Sequence, residues 1–402
     1  MEIVVQKYGG SSLSTLEKLD TLGARIARRA PRNEKLVLVV SAMGSTTDQL
    51  IQLAKTLCPD PPARELDMLL TTGEQVSGAL MAMALAKHGA RAISFTGAQV
   101  GIRTSHHHTR ARIEGISVER IERSLRAGQI AIVAGFQGVT EDDALTTLGR
   151  GGSDITAIAL AVALKARRLE KCTDQDGVFT ADPRIYPEAK TIPRLSYEEM
   201  LEMSHSGAKI LHPRAVFFAW KFGVPILVRD SAVEGQGTLI SEMEGNVEQA
   251  IIRAVTHDAS IAKVTIFKVP DQPGIASRVF EELANKEISV DMIVQSTTVV
   301  DTNDISFTVK RPDLAATVEI LDRLCREIPG AEVKADSTVG RVSLVGLGIR
   351  TETRVASRMF RVLAEKKINI QMIATSDVKI TCVIPETQVQ DAVKAICKQF
   401  GL

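Results

Sequence analysis

The sequence is poor in several features that would point to particular classes of protein. Aromatic residues make up only 4% of the 402 residues, with a single tryptophan, which argues against a surface on which nucleic-acid bases stack. The formal net charge is +1, so no strong attraction to nucleic acid or to an anionic membrane is expected. No apolar run reaches ~18 residues, and no basic segment followed by a long apolar core opens the chain. We therefore expect a cytoplasmic protein without nucleic-acid or membrane partners.

Cysteine is also scarce and scattered. The five cysteines are Cys58, Cys172, Cys325, Cys382 and Cys397. They form no CxxC pair and no Cys/His pair with zinc spacing, so we expect reduced thiols. Three consecutive histidines at 106–108 resemble a metal-binding tract, but no further His or Cys completes a site, and a solvated loop is the simpler interpretation. No metal ligands are assigned.

The first 230 or so residues alternate regularly between short apolar runs and helix-like stretches. The runs LVLVV and IAIVA lack polar alternation, which is typical of central strands covered by helices on both faces. Strands are predicted at 3–5, 36–40, 92–95, 130–134, 169–172 and 226–228. This pattern predicts an α/β fold with a largely parallel sheet, in which ligands bind at the carboxyl ends of the strands.

Length and composition predict more than one domain. A chain of 402 residues exceeds one ordinary core, and residues 231–249 are rich in Gly, Glu and Ser. Beyond them, RVFEELANKEISVDMI (278–293) and RMFRVLAEKKINIQMI (358–373) match at eight of sixteen positions, 80 residues apart, and each predicts an amphipathic helix followed by a β-branched strand. The predicted domains are 1–232, 250–337 and 338–402, with a linker at 233–249, and residues at about 250–262 are candidates for pairing with the last unit.

The segment KYGGSS follows the first predicted strand and precedes a helix expected to begin near Leu16. Gly9 and Gly10 let backbone amides approach phosphate oxygens, Lys7 adds a positive charge, and a helix N-terminus favours anions. A Gly-Gly turn beside a solvated lysine would explain the same residues. No GxxxxGK[ST] motif occurs, so a P-loop mechanism is excluded.

Two further segments place polar residues beside predicted strands and helices. SAMGSTTDQL offers Ser41 and Thr47 at a strand end, where they can bind a ligand or cap the following helix. TTGEQ places Glu74 in the first turn of an apolar helix that would begin at Thr71 or Thr72. A glutamate in that position is ordinarily a helix cap.

The segment TTLGRGGSD is the most informative one. Arg150 has the fork geometry that suits a carboxylate, and Ser153 and Asp154 open a helix of small apolar residues. Asp154 can cap that helix, yet a carboxylate in a phosphate-binding turn requires a cation to offset its charge. After the next strand, CTDQDGVFTADPR forms two consecutive turns without the glutamate and spacing of a calcium loop, and GAKILHPR offers Lys209.

Taken in order, KYGGSS, SAMG, TTGEQ, TTLGRGGSD, TDQDGVFTADPR and GAKILHPR resemble the successive signatures of the amino acid kinase family, specifically its aspartate kinases. The repeated C-terminal unit, with DQPGIA at 271–276, resembles paired ACT domains that bind amino acid effectors. The resemblance covers the whole chain. It implies a three-layer α/β/α domain followed by two α+β ferredoxin-like ACT domains. It also implies phosphoryl transfer from ATP, with Mg²⁺, to the side-chain carboxylate of L-aspartate, the entry step to lysine, threonine and methionine synthesis.

The resemblance implies roles for individual residues. Those implied in phosphoryl transfer are Lys7, Gly9, Gly10 and Asp154. Those implied around the aspartate substrate are Ser41, Thr47, Glu74, Arg150 and Ser153. Those implied on the ATP side are Lys7, Tyr8, Gly9, Gly10, Thr173, Asp174, Phe179, Asp182, Arg184 and Lys209. Those implied in effector binding are Asp271, Gly274, Ile275, Ala276, Asp291, Gln295, Asn369, Ile370, Ser376 and Asp377.

Within these sets, the family pattern has Asp154 orient Lys7. Arg150 would bind the α-carboxylate of aspartate, and Glu74 its ammonium group. The chain departs from the pattern on the nucleotide side. Phe179 stands where tyrosine is usual, and the residues that replace commonly apolar or aromatic ones are Lys171, Cys172 and Gln175.

The second repeat also departs from the family pattern. Thr353 and Arg354 replace the Pro-Gly expected at the effector-binding turn, and Arg358 adds positive charge near the place where a lysine effector would bind. We predict from this substitution that inhibition by threonine, or by threonine and lysine together, is favoured over inhibition by lysine alone.

Other members of the family share the phosphate-binding turn, so glutamate, acetylglutamate and uridylate kinases are alternatives, as is a non-catalytic amino acid sensor. Arg150 with Glu74 matches an amino acid zwitterion and favours aspartate, while Lys7 and Asp154 argue against the sensor. The ACT pair implies a homodimer or an α2β2-type oligomer. Met243, in the predicted linker, is a candidate internal start for a separate regulatory product.

Overall fold

The computed structural model describes residues 2–29, 34–233, 235–243, 251–299, 302–349 and 352–402. They form two compact units. Described residues up to 178, together with 191–204 and 209–243, belong to the first unit, and residues 179–190, 205–208 and those from 251 onward belong to the second. Two segments of the range 1–232, which we predicted as one domain, therefore fold with the second unit. Residue 234 and residues 244–249 of the predicted linker lie outside the described residues.

The first unit is built on a largely parallel sheet. The strands of the first unit are β1 (Glu2–Tyr8), β2 (Glu34–Val40), β3 (Ala92–Phe95), β4 (Arg103–Thr104), β5 (Ile113–Gly115), β6 (Ile130–Ala134), β7 (Gln137–Val139), β8 (Leu145–Thr147), β9 (Arg168–Thr173), β10 (Arg194–Leu195), β11 (Ile226–Asp230) and β12 (Thr238–Ile240). Within the described residues, eight strands pair in the order β10-β12-β11-β9-β1-β2-β6-β3, and β11 and β12 pair antiparallel. All six predicted strands form, and the predicted largely parallel α/β fold is confirmed.

Helices cover both faces of this sheet. They are α1 (Leu16–Arg29), α2 (Thr46–Leu57), α3 (Ala63–Lys87), α4 (Glu119–Arg126), α5 (Gly152–Ala163), α6 (Tyr197–His205) and α7 (Pro213–Phe222). Successive side chains of a strand point to opposite faces. On β2, Leu38 and Val40 enter the core shared with α1 and α3, while Val39 lies beside Ser153 of α5. The sheet therefore separates two helical layers, and α5 packs against α7 in the second of them.

The start of α3 differs from the prediction. The helix begins well before Thr71 and Thr72, whose hydroxyls donate to carbonyl oxygens one turn earlier, at 2.9 Å and 2.7 Å, and so remain inside it. Glu74 consequently lies in the middle of a 25-residue helix and caps nothing. Gly73 faces the end of β2, where a Cβ would lie 2.9 Å from that of Ala42, so this glycine permits the close approach.

The histidine tract is partly integrated into the fold. His106 and His107 are exposed, as predicted, but His108 is not a solvated residue: its Nδ1 lies 2.9 Å from Oδ2 of the fully buried Asp67. Asp67 also accepts a hydrogen bond from Thr147 Oγ1 at 2.6 Å. Among the described residues, no group of three or more His, Cys, Asp or Glu is placed to hold a metal ion. In the same part of the chain, no helix combines the length and apolar character needed to cross a membrane.

The second unit contains two antiparallel sheets. Its strands are β13 (Ile251–Asp258), β14 (Ile261–Pro270), β15 (Val290–Val299), β16 (Thr302–Lys310), β17 (Glu332–Asp336), β18 (Val339–Leu347), β19 (Met372–Thr375) and β20 (Lys379–Pro385), and its helices are α8 (Ile275–Asn285), α9 (Leu314–Cys325), α10 (Thr353–Glu365) and α11 (Val389–Phe400). Within the described residues, the sheets have the orders β15-β16-β14-β17 and β13-β18-β20-β19. Although β13 precedes the first repeat in sequence, it pairs with β18 of the second.

The internal repeat is visible in the backbone. In each copy a helix leads into a strand, α8 into β15 and α10 into β19. Glu287 and Lys367, which lie 80 residues apart in the sequence, both adopt φ 56° in the connection between them. A positive φ is uncommon outside glycine, so its recurrence at equivalent positions shows that the two copies share the same turn. The predicted helix-to-strand repeat is confirmed.

Candidate active site

The glycine turn after β1 is fixed by close packing against the turn after β2. A Cβ on Gly10 would lie 2.7 Å from the carbonyl oxygen of Ala42 and 3.1 Å from that of Gly44, so no side chain fits. Two backbone hydrogen bonds join the turns, from Gly44 N–H to Gly10 O at 3.0 Å and from Ser41 N–H to Tyr8 O at 3.1 Å. The two strand ends thus form one rigid backbone surface in front of α1.

Three charged side chains meet beside this surface. Lys7 of β1 and Lys171 of β9 are register partners, and both reach Asp154 in the first turn of α5. Lys7 Nζ lies 2.9 Å from Asp154 Oδ1, and Lys171 Nζ lies 2.6 Å from Oδ2. All three residues are buried, and we call them the Lys7–Asp154–Lys171 cluster. The cluster resolves the ambiguity of Asp154, because its carboxylate pairs with lysines and does not cap α5.

The pKa of Asp154 reflects this environment. Burial raises the pKa of the carboxyl, but the charges and hydrogen bonds of Lys171 and Lys7 outweigh burial and hold it well below its usual range. Asp154 is therefore ionised at any physiological pH. No role is predicted for Lys171 from the sequence, in which it is only a departure from the family pattern. Lys171 lies two positions before the end of β9, at the register position of Lys7, and no local sequence pattern signals that pairing.

The turn before α5 is held by a glycine. Gly151, at the N-cap of α5, has φ 72°, and a Cβ there would lie 2.4 Å from the side chain of His212. Arg150, immediately before it, is exposed and makes no hydrogen bond or ion pair with any other described residue. Ser153 is buried, close to Gly135 at the end of β6. The turn therefore offers one guanidinium to solvent at the carboxyl edge of the sheet.

Glu74 is a buried carboxylate with one free oxygen. The residue is 3% exposed, and its Oε1 accepts a hydrogen bond from Ala42 N–H at 3.1 Å. Its Oε2 is buried and has no hydrogen-bond partner among the described residues. Burial raises the pKa of Glu74 from 4.5 to about 7, against the opposing effects of the Ala42 amide and the charge of Lys7. A free, buried carboxylate oxygen of this kind is suited to a cationic group.

The residues implied on the ATP side are divided between the two units. In the first unit, Thr173 ends β9 and accepts a hydrogen bond from Gln175 N–H at 3.0 Å, while Asp174 and Lys209 are exposed. Tyr8 is buried, and its hydroxyl donates to Gln6 Oε1 at 3.0 Å, so its side chain is directed away from Lys7.

In the second unit, the other three ATP-side residues lie in the segment 179–190. Phe179 is half-buried. The guanidinium of Arg184 donates two hydrogen bonds to Asp182, from Nε to Oδ1 at 3.0 Å and from Nη2 to Oδ2 at 2.7 Å. These bonds lower the pKa of the Asp182 carboxyl. Asp182 and Arg184 thus act as one paired unit.

The residues implied in effector binding also form two groups. The first consists of Asp271, Gly274, Ile275, Ala276, Asp291 and Gln295, around the start of α8 and on β15. Gly274 caps α8 with φ 97°, and Asp271 accepts a hydrogen bond from Asn303 Nδ2 at 2.9 Å. Asp291 is engaged elsewhere, in an ion pair with the buried Arg341 that joins the two sheets of this unit.

The second group consists of Asn369, Ile370, Ser376 and Asp377. The first two precede β19, and the last two lie in the turn between β19 and β20. Thr353 and Arg354 open α10, and residues 350–351 before them lie outside the described residues. Arg358 donates to Gln399 O at 2.9 Å, and its guanidinium lies 4.5 Å from the ring centroid of Phe400, so its charge is held at the end of α11.

Comparison with known proteins identifies the family. Residues 2–230 match the model of the amino acid kinase family, and residues 263–327 and 342–400 each match an ACT domain model. An aspartate kinase of Stutzerimonas stutzeri is 45% identical over 403 residues, covering 100% of this chain and 98% of that protein. The aspartokinase of Corynebacterium glutamicum is 46% identical over 407 residues, covering 100% of this chain and 97% of that protein.

Among solved structures, Escherichia coli aspartokinase III in complex with aspartate and ADP (R-state) is similar with a TM-score of 0.86 and 25% identity, covering 100% of both chains. The sequence matches extend over the catalytic and regulatory parts alike, and most of each sheet of the second unit lies within one ACT match, with β17 and β13 outside the matched residues. The resemblance stated from the motifs is confirmed. This chain belongs to the amino acid kinase family, as an aspartate kinase with a C-terminal pair of ACT domains.

Proposed function

We propose that this chain transfers the γ-phosphoryl group of ATP to the side-chain carboxylate of L-aspartate, giving ADP and 4-phospho-L-aspartate, with Lys7 and Asp154 in the reacting centre. The observation that carries the proposal is the ion pair of Lys7 with Asp154 beside the Gly10 turn, 2.9 Å between Nζ and Oδ1. A lysine fixed in this way places a positive charge where a phosphoryl group would lie against backbone amides.

The reaction requires positioning and charge stabilisation more than acid–base chemistry. The attacking group is the carboxylate of the substrate, which is already ionised at neutral pH, so no protein base has to remove a proton. Lys7 neutralises charge on the transferring phosphoryl group, and the amides of Gly9 and Gly10 donate hydrogen bonds to its oxygens. Asp154 holds Lys7 in place through its buried carboxylate.

Recognition of aspartate uses two charged groups that make no ion pair with other described residues, the guanidinium of Arg150 and the carboxylate of Glu74. Arg150, exposed beside α5, binds the α-carboxylate through its fork of N–H donors. Glu74 binds the ammonium group with its free Oε2. The remaining contacts are assigned to the hydroxyls of Ser41, Thr47 and Ser153. An acceptor with both a carboxylate and an ammonium group fits this pair, whereas acetylglutamate and uridylate lack the ammonium.

The nucleotide is assigned to the remaining side of the site. Its contacts are Tyr8 through its backbone, Thr173, Asp174, Phe179, Asp182, Arg184 and Lys209. Mg²⁺ usually binds phosphate oxygens and water with only one or two carboxylates, and the absence of any three-residue acidic cluster among the described residues fits an ion held mainly by the nucleotide. Exposed Asp174, just beyond β9, is the carboxylate that we assign to it. When bound, the ion neutralises phosphate charge.

The direct test is ADP release by the purified protein with magnesium and ATP, comparing L-aspartate with glutamate, acetylglutamate and uridylate. Turnover with aspartate and not with the others is expected. Turnover with another acceptor would be consistent with the fold and the phosphate site but would show that the substrate is not aspartate. Amino acid binding without turnover on any acceptor would support the sensor alternative.

We also propose that the ACT pair binds threonine as an inhibitor, alone or together with lysine, and assembles the chain as a homodimer or an α2β2-type oligomer. The Pro-Gly that the first repeat retains at Pro273 and Gly274 is replaced by Thr353 and Arg354 in the second, so the two copies are not equivalent sites. In a titration of aspartate kinase activity, threonine is expected to inhibit, either by itself or in a concerted effect with lysine. Full inhibition by lysine alone would contradict this prediction.

A further inference from the structure

The two lysines of the cluster lie in a row of residues that crosses the sheet. Lys7 pairs with Val39 of β2, Lys171 pairs with Lys7, and Val228 of β11 pairs with Lys171. Register partners in a parallel sheet point to the same face, so this row reads Val-Lys-Lys-Val on the α5 side. Both valines are fully buried. The two ammonium groups are thus confined between apolar side chains.

The cluster carries more positive than negative charge. The groups that face Lys171 are Asp154 from α5 and Lys7 from β1, while β11 contributes an apolar residue. Each lysine binds a different oxygen of the same carboxylate, Oδ1 for Lys7 and Oδ2 for Lys171. Two buried cations therefore share one buried anion. An excess charge in such a place costs free energy unless a further anion is bound or a proton is lost.

We propose that Lys171 is a second positioning lysine of the phosphate site, which holds Asp154 through Oδ2 and so frees Lys7 for the ATP phosphates. The inference rests on the proposed role of Lys7 in phosphoryl transfer. With Lys7 as its only partner, Asp154 would be left buried and unpaired whenever Lys7 turned to a phosphate, which is costly. With Lys171 in place, Asp154 stays paired, and the excess positive charge attracts the nucleotide.

This arrangement makes ATP binding sensitive to alkaline pH. Burial lowers the pKa of Lys171 to about 8, with Asp154 opposing the shift and Lys7 adding to it. Below that pH the cluster keeps both positive charges, and above it Lys171 loses its proton and the excess charge disappears. Bound phosphate stabilises the charged form, so the affinity for ATP is expected to fall as the pH rises above about 8.

The test compares Lys171→Met with Lys171→Arg and with Lys55→Met, a control that removes an exposed lysine of α2. ATP binding is measured by calorimetry from pH 6.5 to pH 10, with thermal unfolding as a check on folding. Lys171→Met is expected to weaken ATP binding about tenfold at neutral pH and to lose the alkaline decline. Lys171→Arg keeps a permanent charge and is expected to retain affinity and to move the decline to higher pH. Lys55→Met is expected to match the unmodified chain.

An ATP affinity and pH profile in folded Lys171→Met equal to those of the unmodified chain would overturn the inference. If the methionine variant fails to fold, Lys171→Arg decides, because an unchanged alkaline decline there assigns the titration to another group and overturns it as well. Binding of ATP is measured without an acceptor, so the result is independent of the substrate assignment. ATP binding with the expected dependence on Lys171, but without turnover of aspartate, would support the inference and contradict the proposed function.

Discussion

Lys7→Met is expected to lower kcat for aspartate phosphorylation by about 10³-fold while the protein remains folded. The loss of rate follows from removing the positive charge beside the glycine turn. The fold is retained because Lys171 Nζ, 2.6 Å from Asp154 Oδ2, still pairs with the buried carboxylate. Steady-state kinetics with ATP and aspartate, together with thermal unfolding, measure both parts of this result.

Lys55→Met provides the matched control for this prediction. Lys55 lies exposed in the last turn of α2, so the same chemical change there is expected to leave kcat within about twofold and stability within about 0.5 kcal/mol. A kcat for Lys7→Met within a few fold of the unmodified chain would remove Lys7 from the reacting centre. A large drop in the unfolding temperature would instead show that the lysine pair is required for folding.

The central strands and the internal repeat could be predicted from the sequence because each shows a pattern within one short segment of the chain. The runs 36–40 and 130–134 are apolar without alternation because they form central strands between two helical layers, and the structure has β2 and β6 there. The repeat was detectable because two copies of one helix-to-strand unit keep the same core positions, such as Leu283 and Leu363. Each apolar run and each copy of the repeat is a continuous segment of the chain, so its pattern is visible without the tertiary structure.

The start of α3 could not be placed by the same means. Thr71, Thr72 and Gly73 are typical of a helix boundary, and only the tertiary contact of Gly73 with Ala42 explains a glycine in mid-helix. A better signal was the prolines at 61 and 62 followed by ARE, since proline is favoured at a helix start and an acidic residue in its first turn.

The role of Lys171 was not predictable from local pattern either. It lies 164 residues from Lys7 in sequence, and the two meet only because β1 and β9 pair in parallel with these residues in register. A prediction would have needed the strand order and the register together. The sequence could identify Lys7, Gly10 and Asp154 through motifs, but it could not show that a second buried lysine shares the same carboxylate.

Glu74→Gln is the second prediction with a large expected effect. The substitution keeps an acceptor for the Ala42 amide but removes the negative charge of the free Oε2. If this oxygen binds the ammonium group, KM for aspartate is expected to rise about 100-fold, with a smaller change in KM for ATP. Glu65→Gln, an exposed position in the first turn of the same helix, serves as the control. Equal values of KM for aspartate in the two variants would contradict the role of Glu74.

The same substitution is expected to stabilise the folded chain although it weakens the binding of aspartate. The pKa of Glu74 is raised by burial from 4.5 to about 7, so between these values the unfolded chain releases a proton that the folded chain retains. The free energy of unfolding therefore falls as the pH rises from about 4.5 to about 7, and the loss is constant above that range. Glu74→Gln removes this loss. Without substrate, the stability of the variant relative to the unmodified chain is therefore expected to increase as the pH rises across this range, reaching a gain of up to about 3 kcal/mol by pH 8. A stability difference independent of pH would show that folding does not raise the pKa of Glu74 and that the carboxylate is already ionised in the folded chain without substrate.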